Sequence, residues 1–287
     1  MKPLNGKVAV VAGASRGCGR GIALALGDAG ATVFVTGRTT RGGPKPVDGA
    51  PGTIEDTADE VTKRGGNGVA VRVDHTDAAQ VSGFLATVER LDILVCAVWG
   101  GNERYRDSIW NEPFWKQPVE TWTEFLDACP HAFWLCAHAA APRMAGNGGG
   151  LMVAVTEPVT DQFAGQQASL AETFSELAHY STNKLVSSLA ADAKEVGVAV
   201  IGLLPGFMRT ERVEMHLPDE ASRKLYRYDL SESTEYAGRA VVALACDSNV
   251  LVKSGSLLFV ADLAEEYGFT DIDGKRVGNF YKLALGR

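Results

Sequence analysis

The sequence predicts an α/β fold in which helices flank both faces of a doubly wound parallel β-sheet. Short apolar runs bounded by glycine alternate with helical patterns, as is typical of strands joined by right-handed crossover helices. Residues 91–98 are almost continuously hydrophobic, which indicates a strand buried on both faces. No repeat or interdomain linker interrupts this alternation, so we predict a single domain over residues 1–287.

The elements follow in a regular order. The predicted strands are residues 7–12, 32–36, 69–73, 91–98, 151–156, 198–204 and 256–260. The predicted helices are residues 17–29, 53–64, 77–90, 119–144, 169–195 and 234–246. The Gly/Pro-rich stretch 42–52 predicts an exposed loop, and the polar stretch from 205 to 233 predicts a mobile segment.

Local signals support several of the helix assignments. The second helix is followed by Gly65, which commonly ends helices. Asp77 and Gln80 have the spacing of a capping box at the start of the third helix. Pro130 lies inside the fourth helix and removes one backbone donor, so a kink is expected there.

Composition excludes several classes of function. The net charge is −7 and the basic residues form no run or stripe, so nucleic-acid binding is not expected. The apolar run after Lys7 is too short to span a membrane, and no signal-peptide cleavage site follows it. The five cysteines lack CxxC spacing, which favours reduced thiols in the cytoplasm. No metal site is predicted, because the histidines show no ligand spacing.

A glycine-rich turn joins the first strand to the first helix. Its GxxxGxG pattern predicts a Rossmann-type dinucleotide site, because glycines let the backbone approach a pyrophosphate that the helix amides face. Tight packing of the helix on the strand is the alternative explanation of these glycines. The predicted cofactor contacts in this turn are Gly13, Ser15, Arg16, Gly17 and Gly19.

The end of the second strand indicates which dinucleotide is bound. NAD-selective sites usually have Asp or Glu here, whereas this sequence has Arg38. A guanidinium suits a 2′-phosphate, and Arg16 could reach the same group, so NADP(H) is predicted and NAD(H) is less favoured. Arg38 could instead simply begin the solvated loop. Asp74 follows the third strand, where it could accept a hydrogen bond from the adenine amine or serve as an ordinary turn residue.

Tyr180 and Lys184 are the predicted catalytic pair. They are four residues apart on a predicted helix and therefore share one face. A phenol is a weak acid–base group near neutral pH, and a neighbouring ammonium favours its ionised form. Lys184 could also hold the nicotinamide ribose. His179 should point about 100° away from Tyr180 and is interpreted as incidental.

These motifs together make the sequence resemble the short-chain dehydrogenase/reductase family over nearly its whole length. The matching residues are Gly13–Gly19, Asp74, Tyr180, Lys184, Pro205, Gly206 and Thr210. The region from residue 241 to residue 274 is similar to the branch that contains dehydrogenase/reductase member 1 and its bacterial relatives.

The resemblance implies hydride transfer between a nicotinamide and a carbonyl or alcohol carbon, with Tyr180 as proton donor or acceptor. It implies that the Pro205–Thr210 segment, including Gly206, borders the nicotinamide and that the following segment covers the substrate. It also implies a homo-dimer or homo-tetramer built on the two long helices, with a small molecule as substrate.

Three positions depart from the family pattern. Residues 96–101 replace the usual Asn-Asn-Ala-Gly run, and Cys129 stands where an asparagine is expected. The serine that ends the fifth strand is replaced by Thr156 or Glu157. A protonated Glu157 could donate to a carbonyl oxygen, whereas an ionised Glu157 would repel a developing alkoxide. Alternatively, Glu157 points to solvent and Thr156 substitutes for the serine.

The sequence therefore predicts an NADP(H)-dependent oxidoreductase with a non-standard active site. One alternative is a dinucleotide-binding sensor or scaffold with little turnover, which the missing serine and asparagine would explain. Another is a non-redox reaction, such as an epimerisation or dehydration, with Glu157 as acid or base.

Overall fold

A computed structural model describes residues 1–101, 112–159 and 170–285, and its centre is one seven-stranded parallel sheet. The strand order is β3-β2-β1-β4-β5-β6-β7, and helices lie on both faces of the sheet, as the sequence predicts. The strands are β1 Val8–Ala12, β2 Thr32–Gly37, β3 Asn67–Arg72, β4 Ile93–Cys96, β5 Gly150–Val155, β6 Val198–Leu204 and β7 Leu257–Phe259.

The helices in the described ranges alternate with these strands. They are α1 Gly17–Asp28, α2 Ile54–Lys63, α3 Ala78–Thr87, α4 Thr121–Leu126, α5 Ala132–Gly146, α6 Leu170–Lys194, α7 Glu211–His216, α8 Glu220–Leu225, α9 Thr234–Cys246, α10 Val260–Tyr267 and α11 Phe280–Leu285. The predicted start of the sixth helix near residue 169 lies outside the described residues. No helix within the described ranges is long and apolar enough to cross a membrane.

Alternation along β1 explains the two layers of the core. Ala9 and Val11 face one core, which α1, α2, α9 and α10 cover. Val10 and Ala12 face the other core, to which α3, α5 and α6 contribute. Successive strand side chains point to opposite faces, so a strand that is apolar at every position must be covered on both sides.

The region around Pro130 differs from a simple kink. The predicted helix 119–144 is divided into α4 and α5 by a π-helical segment, Asp127–His131, that contains Pro130. Proline cannot donate the backbone hydrogen bond of a regular helical turn, and a wider turn accommodates that loss. The segment buries Cys129 against α6, with its Sγ 3.4 Å from Oγ1 of Thr182.

The remaining differences lie at element ends and after β6. Strand β4 has four residues and is shorter than predicted. The predicted polar stretch 205–233 contains the short helices α7 and α8. Asp77 caps α3 as predicted, because its Oδ1 accepts hydrogen bonds from the amides of Ala79 and Gln80.

Candidate cofactor and substrate site

One cavity lies at the carboxyl ends of the parallel strands, where such sheets bind ligands. It brings together residues that are distant in the sequence. Twelve of the predicted site residues line it, namely Gly13, Ser15, Arg16, Gly17, Gly19, Arg38, Asp74, Thr156, Glu157, Pro205, Gly206 and Thr210. Trp99 and His179 also line it. One cavity therefore joins the glycine turn to the ends of β5 and β6.

The glycine turn has the close backbone approach that its sequence predicts. Gly13 has a φ of +81°, and a Cβ there would lie 2.7 Å from the carbonyl oxygen of Ala97. Gly17 begins α1 with a φ of +58°. Positive φ values are available to glycine at little cost, so only glycine suits this turn without strain.

An intramolecular carboxylate occupies the N-terminus of α1. The amide of Gly17 donates a 2.7 Å hydrogen bond to Oε2 of Glu211, the first residue of α7. Oε1 of the same carboxylate lies 4.0 Å from Nε of Arg20. Helix N-termini bind anions through free amides and the helix dipole. The glycine turn of this chain thus already holds one negative charge.

The loop after Arg38 is tied to the rim of the cavity. Arg16 donates hydrogen bonds of 2.9 Å to the carbonyl oxygens of Pro51 and Gly52. Asp48 accepts a 2.5 Å hydrogen bond from Nε of Arg212, and only 6% of its side chain is exposed. The prediction of a simply exposed loop is therefore wrong around Asp48, because a buried ion pair fixes it there.

Asp74 has the contacts of a turn residue and also lines the cavity. Its Oδ1 accepts hydrogen bonds from the amide and the hydroxyl of Thr76, at 3.0 and 2.8 Å. Both interpretations of Asp74 therefore remain compatible with its position.

Tyr180 and Lys184 lie side by side on α6, as their spacing predicts. Nζ of Lys184 is 5.4 Å from the centre of the Tyr180 ring. Both side chains are exposed, Tyr180 to 51%, and neither is among the residues that line the cavity. The predicted pair is thus assembled next to the cavity wall, where Tyr180 directly follows His179.

The neighbouring face of α6 binds the end of β5. Nδ2 of Asn183 donates a 3.0 Å hydrogen bond to the backbone oxygen of Glu157. A carbonyl can only accept, so this contact fixes the orientation of the amide and leaves Oδ1 of Asn183 facing Thr156. The hydroxyl of Thr156 donates to that Oδ1 at 2.8 Å. The single proton of the Thr156 hydroxyl is therefore committed to Asn183.

His179 completes this network, and the expectation that it is incidental is wrong. Its Nδ1 lies 3.2 Å from Oγ1 of Thr156, which has no further proton to give, so Nδ1–H must donate. The imidazole stacks on Trp99 with ring centres 4.8 Å apart. Nε2 lies 4.0 Å from Oε2 of Glu157. The 100° offset from Tyr180 directs His179 toward β5 and the cavity rather than away from them.

Burial is the main cause of the pKa shifts in this network. Burial lowers the pKa of His179, and the carboxylate of Glu157 partly opposes that shift. Burial raises the pKa of Cys129 to about 12, so this residue remains a neutral thiol. Cys129 packs against α6 through Thr182 and is not among the residues lining the cavity.

Glu232 is a further buried acid that sequence reasoning missed. It lies behind the Pro205–Gly206 turn, and burial raises its pKa to about 8 although its carboxyl accepts a hydrogen bond from the amide of Gly206. Within the described part of the chain, its Oε1 has no hydrogen-bond partner. No local sequence signal marks this residue, since its carboxyl lies next to Gly206, which is distant in the sequence. No group of three potential metal ligands occurs among the described residues.

Comparisons with known proteins bear on the family and the fold of this chain. Residues 7–221 match the family model of the short chain dehydrogenases. The chain is 34% identical over 295 residues to mouse "dehydrogenase/reductase SDR family member 1", with 99% of this chain and 88% of the mouse protein covered.

Two solved structures share the fold. A short chain dehydrogenase from Mycobacterium thermoresistibile gives a TM-score of 0.76 at 21% identity, covering 96% of this chain and 94% of that chain. A 7α-hydroxysteroid dehydrogenase in complex with NADH and 7-oxo glycochenodeoxycholic acid gives a TM-score of 0.68 at 24% identity, covering 89% and 93%.

Proposed function

This chain belongs to the short-chain dehydrogenase/reductase family, and we propose that it is an NADP(H)-dependent oxidoreductase of a carbonyl or alcohol substrate. One observation carries the proposal: a single cavity joins a glycine turn that already binds a carboxylate to the ends of β5 and β6. The first part fits a dinucleotide pyrophosphate, and the second fits a small substrate.

The choice of NADP(H) is supported by charge at the cofactor end. Arg16 and Arg38 both line the cavity, and a 2′-phosphate suits two guanidinium groups. The turn at Gly13, which approaches the carbonyl of Ala97 closely, would hold the pyrophosphate without a side chain in the way. Pro205, Gly206 and Thr210 would border the nicotinamide. When bound, the cofactor supplies or accepts the hydride.

The residues of this chain would supply the proton that the substrate oxygen receives during reduction. We infer that Tyr180 donates a proton to the substrate oxygen during reduction, and that the ammonium of Lys184 stabilises the resulting phenolate. The two side chains are already in contact, which supports this pairing. Lys184 would also hold the nicotinamide ribose. A protonated Glu157, or Thr156 once its hydroxyl releases Oδ1 of Asn183, would then hydrogen-bond the carbonyl oxygen.

A homo-dimer or homo-tetramer is part of the same proposal. The family resemblance places the interface on the two long helices, and the exposed apolar side chains there include Trp134 of α5 and Leu177 of α6, each 41% exposed. We further place the protein in the cytoplasm, where its free cysteines would remain reduced. Light scattering during size-exclusion chromatography tests the oligomer: a monomer at micromolar concentration would contradict it.

A non-redox reaction is the second candidate, and one observation favours it. Glu157 and His179 line the cavity, whereas Tyr180 and Lys184 do not. An acid–base reaction at Glu157 would form product without net consumption of NADPH.

A fluorescence titration with NADPH and NADH, followed by a panel of ketones, aldehydes and quinones in the same cuvette, tests the proposal. Tight NADPH binding with substrate-dependent loss of NADPH fluorescence is expected. Binding without loss on any compound would favour the non-redox reaction or a sensor, and no binding would overturn the cofactor site.

A further inference from the structure

Three segments meet around the N-terminus of α1, and each of them borders the cavity. They are the glycine turn, α7, and the loop 39–52, which we call the strap. The two ends of the strap are close together, since the amide of Ile54 donates to the carbonyl oxygen of Thr39 at 3.1 Å. A surface loop that returns to its starting point is a compact unit, and such loops often have a function.

The glycine turn is tied to both of the other segments. Arg16 donates 2.9 Å hydrogen bonds to the carbonyl oxygens of Pro51 and Gly52 in the strap. The amide of Gly17 donates to the carboxylate of Glu211 at the start of α7. A pyrophosphate at the glycine turn needs that amide, so it would displace Glu211 and leave α7 with one contact fewer.

A third contact joins α7 directly to the strap. Nε of Arg212 donates to Oδ2 of Asp48 at 2.5 Å, and only 15% and 6% of these side chains are exposed. Burial alone would raise the pKa of Asp48, but hydrogen bonds from Arg212 and from the amide of Ala50 hold that pKa below its ordinary value. The contact is therefore a buried ion pair, which is costly to break because one charge is left without its partner.

This ion pair connects the two ends of the proposed cofactor site. The strap directly follows Arg38, the proposed 2′-phosphate residue, and α7 directly follows Thr210, which would border the nicotinamide. A dinucleotide that spans these two positions runs along the glycine turn, between the two segments that the ion pair joins.

We propose that the ion pair between Asp48 and Arg212 is a clasp between the strap and α7, and that it opens each time a dinucleotide enters or leaves the glycine turn. This inference deepens the proposed function and rests on its cofactor site. Displacement of Glu211 leaves the clasp intact, because Arg212 makes that contact independently. The clasp limits the rate of cofactor exchange, whereas affinity is set by the groups that touch the dinucleotide.

Stopped-flow kinetics of nucleotide binding test the clasp. D48N should raise both the association and the dissociation rate constants of NADPH roughly 10-fold or more, because opening no longer breaks a buried ion pair. The Kd should change much less than either rate constant. NADH should show the same acceleration, since both dinucleotides pass the clasp.

Two kinetic results would overturn the proposal. Unchanged or slower association in D48N would mean that Asp48 only supports the folded site, because loss of such support does not speed binding. Asp48 also interacts electrostatically with Arg16. An acceleration confined to NADPH would therefore make Asp48 a charge that acts on the 2′-phosphate.

D59N is the matched control. Asp59 of α2 pairs with Arg41, which also belongs to the strap, and the substitution makes the same change in net charge as D48N. That pair is exposed and does not involve α7, so D59N should keep the wild-type rate constants. The double variant D48N/R212Q has no unpaired charge, should also exchange nucleotide quickly, and decides the question if D48N does not fold.

Amide hydrogen exchange keeps this test apart from the proposed function, because it needs no nucleotide. D48N should speed exchange in the strap and in α7 together, whereas D59N should leave α7 unchanged. Wild-type protein that binds neither NADPH nor NADH would overturn the proposed function and, with it, the role in cofactor exchange. Wild-type exchange in α7 of D48N would overturn the clasp alone.

Discussion

The two ends of the cavity differ in whether backbone or side-chain groups form their walls. The cofactor end consists largely of backbone: the turn from Gly13 to Gly19 and the amide of Gly17 at the N-terminus of α1. The substrate end consists of side chains from β5 and α6 together with Trp99, held by the bonds among Thr156, His179 and Asn183. Backbone geometry leaves a local sequence pattern, whereas a network of side chains depends on which helix face meets which strand.

The largest expected effect falls on the substrate end. Y180F removes the proton donor and should lower kcat about 10²- to 10⁴-fold, because general acid catalysis contributes that much. NADPH affinity should remain near the wild-type value. Y267F is a control, since Tyr267 is a partly exposed tyrosine of α10 that is not among the residues lining the cavity. Steady-state kinetics and a fluorescence titration measure both quantities. Full activity in Y180F would remove Tyr180 from the reaction.

The second-largest expected effect is on stability and concerns Glu232, which lies behind the Pro205–Gly206 turn. The pKa of Glu232 is about 8 in the folded chain, above its ordinary value of 4.5. The folded state therefore binds this proton more tightly than the unfolded state, so stability is greatest below pH 4.5 as far as this group is concerned and falls as pH rises to about 8.

Replacing Glu232 tests whether this residue lowers the stability of the folded state as pH rises. E232Q should be more stable than the wild type at pH 8 by roughly 2 kcal/mol or more and should differ much less at pH 5. Urea unfolding at the two pH values measures the difference. If the free energy of unfolding of the wild type changes with pH just as that of E232Q does, Glu232 titrates normally.

At the cofactor end, R38D tests the preference for a 2′-phosphate. A charge-assisted hydrogen bond contributes about 1.5 to 3 kcal/mol, so the NADPH/NADH affinity ratio should fall roughly 10- to 100-fold. K224D, at an exposed position of α8 that is not among the residues lining the cavity, gives the same change in net charge. Competitive titrations with both nucleotides provide the ratio. If R38D and K224D shift it equally, Arg38 is only the first residue of the loop.

The sequence predicted the cofactor end more fully than the substrate end. Strand–turn–helix order and glycine spacing are local, and they predicted the glycine turn and the seven-stranded parallel sheet, though not the order of its strands. The roles of His179 and Glu232 are not local. The side chain of His179 meets the end of β5 because α6 packs with that face against it. The distant Gly206 amide and Asp271 both act on the buried carboxyl of Glu232.

The sequence indicated the departures from regular structure only in part. Pro130 indicated a disturbance in its helix, but the π-helical turn depends on how α4 and α5 pack around it. The ion pair between Asp48 and Arg212 joins residues separated by 164 positions, which a composition rich in Gly and Pro cannot indicate. Long-range contacts therefore account for most of what the sequence did not show.

The smallest expected effect concerns the carboxylate on the glycine turn. The amide of Gly17 donates to Glu211, so a bound pyrophosphate must displace this side chain from the N-terminus of α1. E211Q removes the charge that competes for that position and weakens the contact, so the affinity for either dinucleotide should rise about 3- to 10-fold. E214Q alters the same helix at a carboxylate that instead binds Arg223, and should leave affinity unchanged. Because Glu211 competes with the shared pyrophosphate and not with the 2′-phosphate, E211Q should strengthen NADPH and NADH binding equally. A gain confined to NADPH would place Glu211 near Arg38 instead.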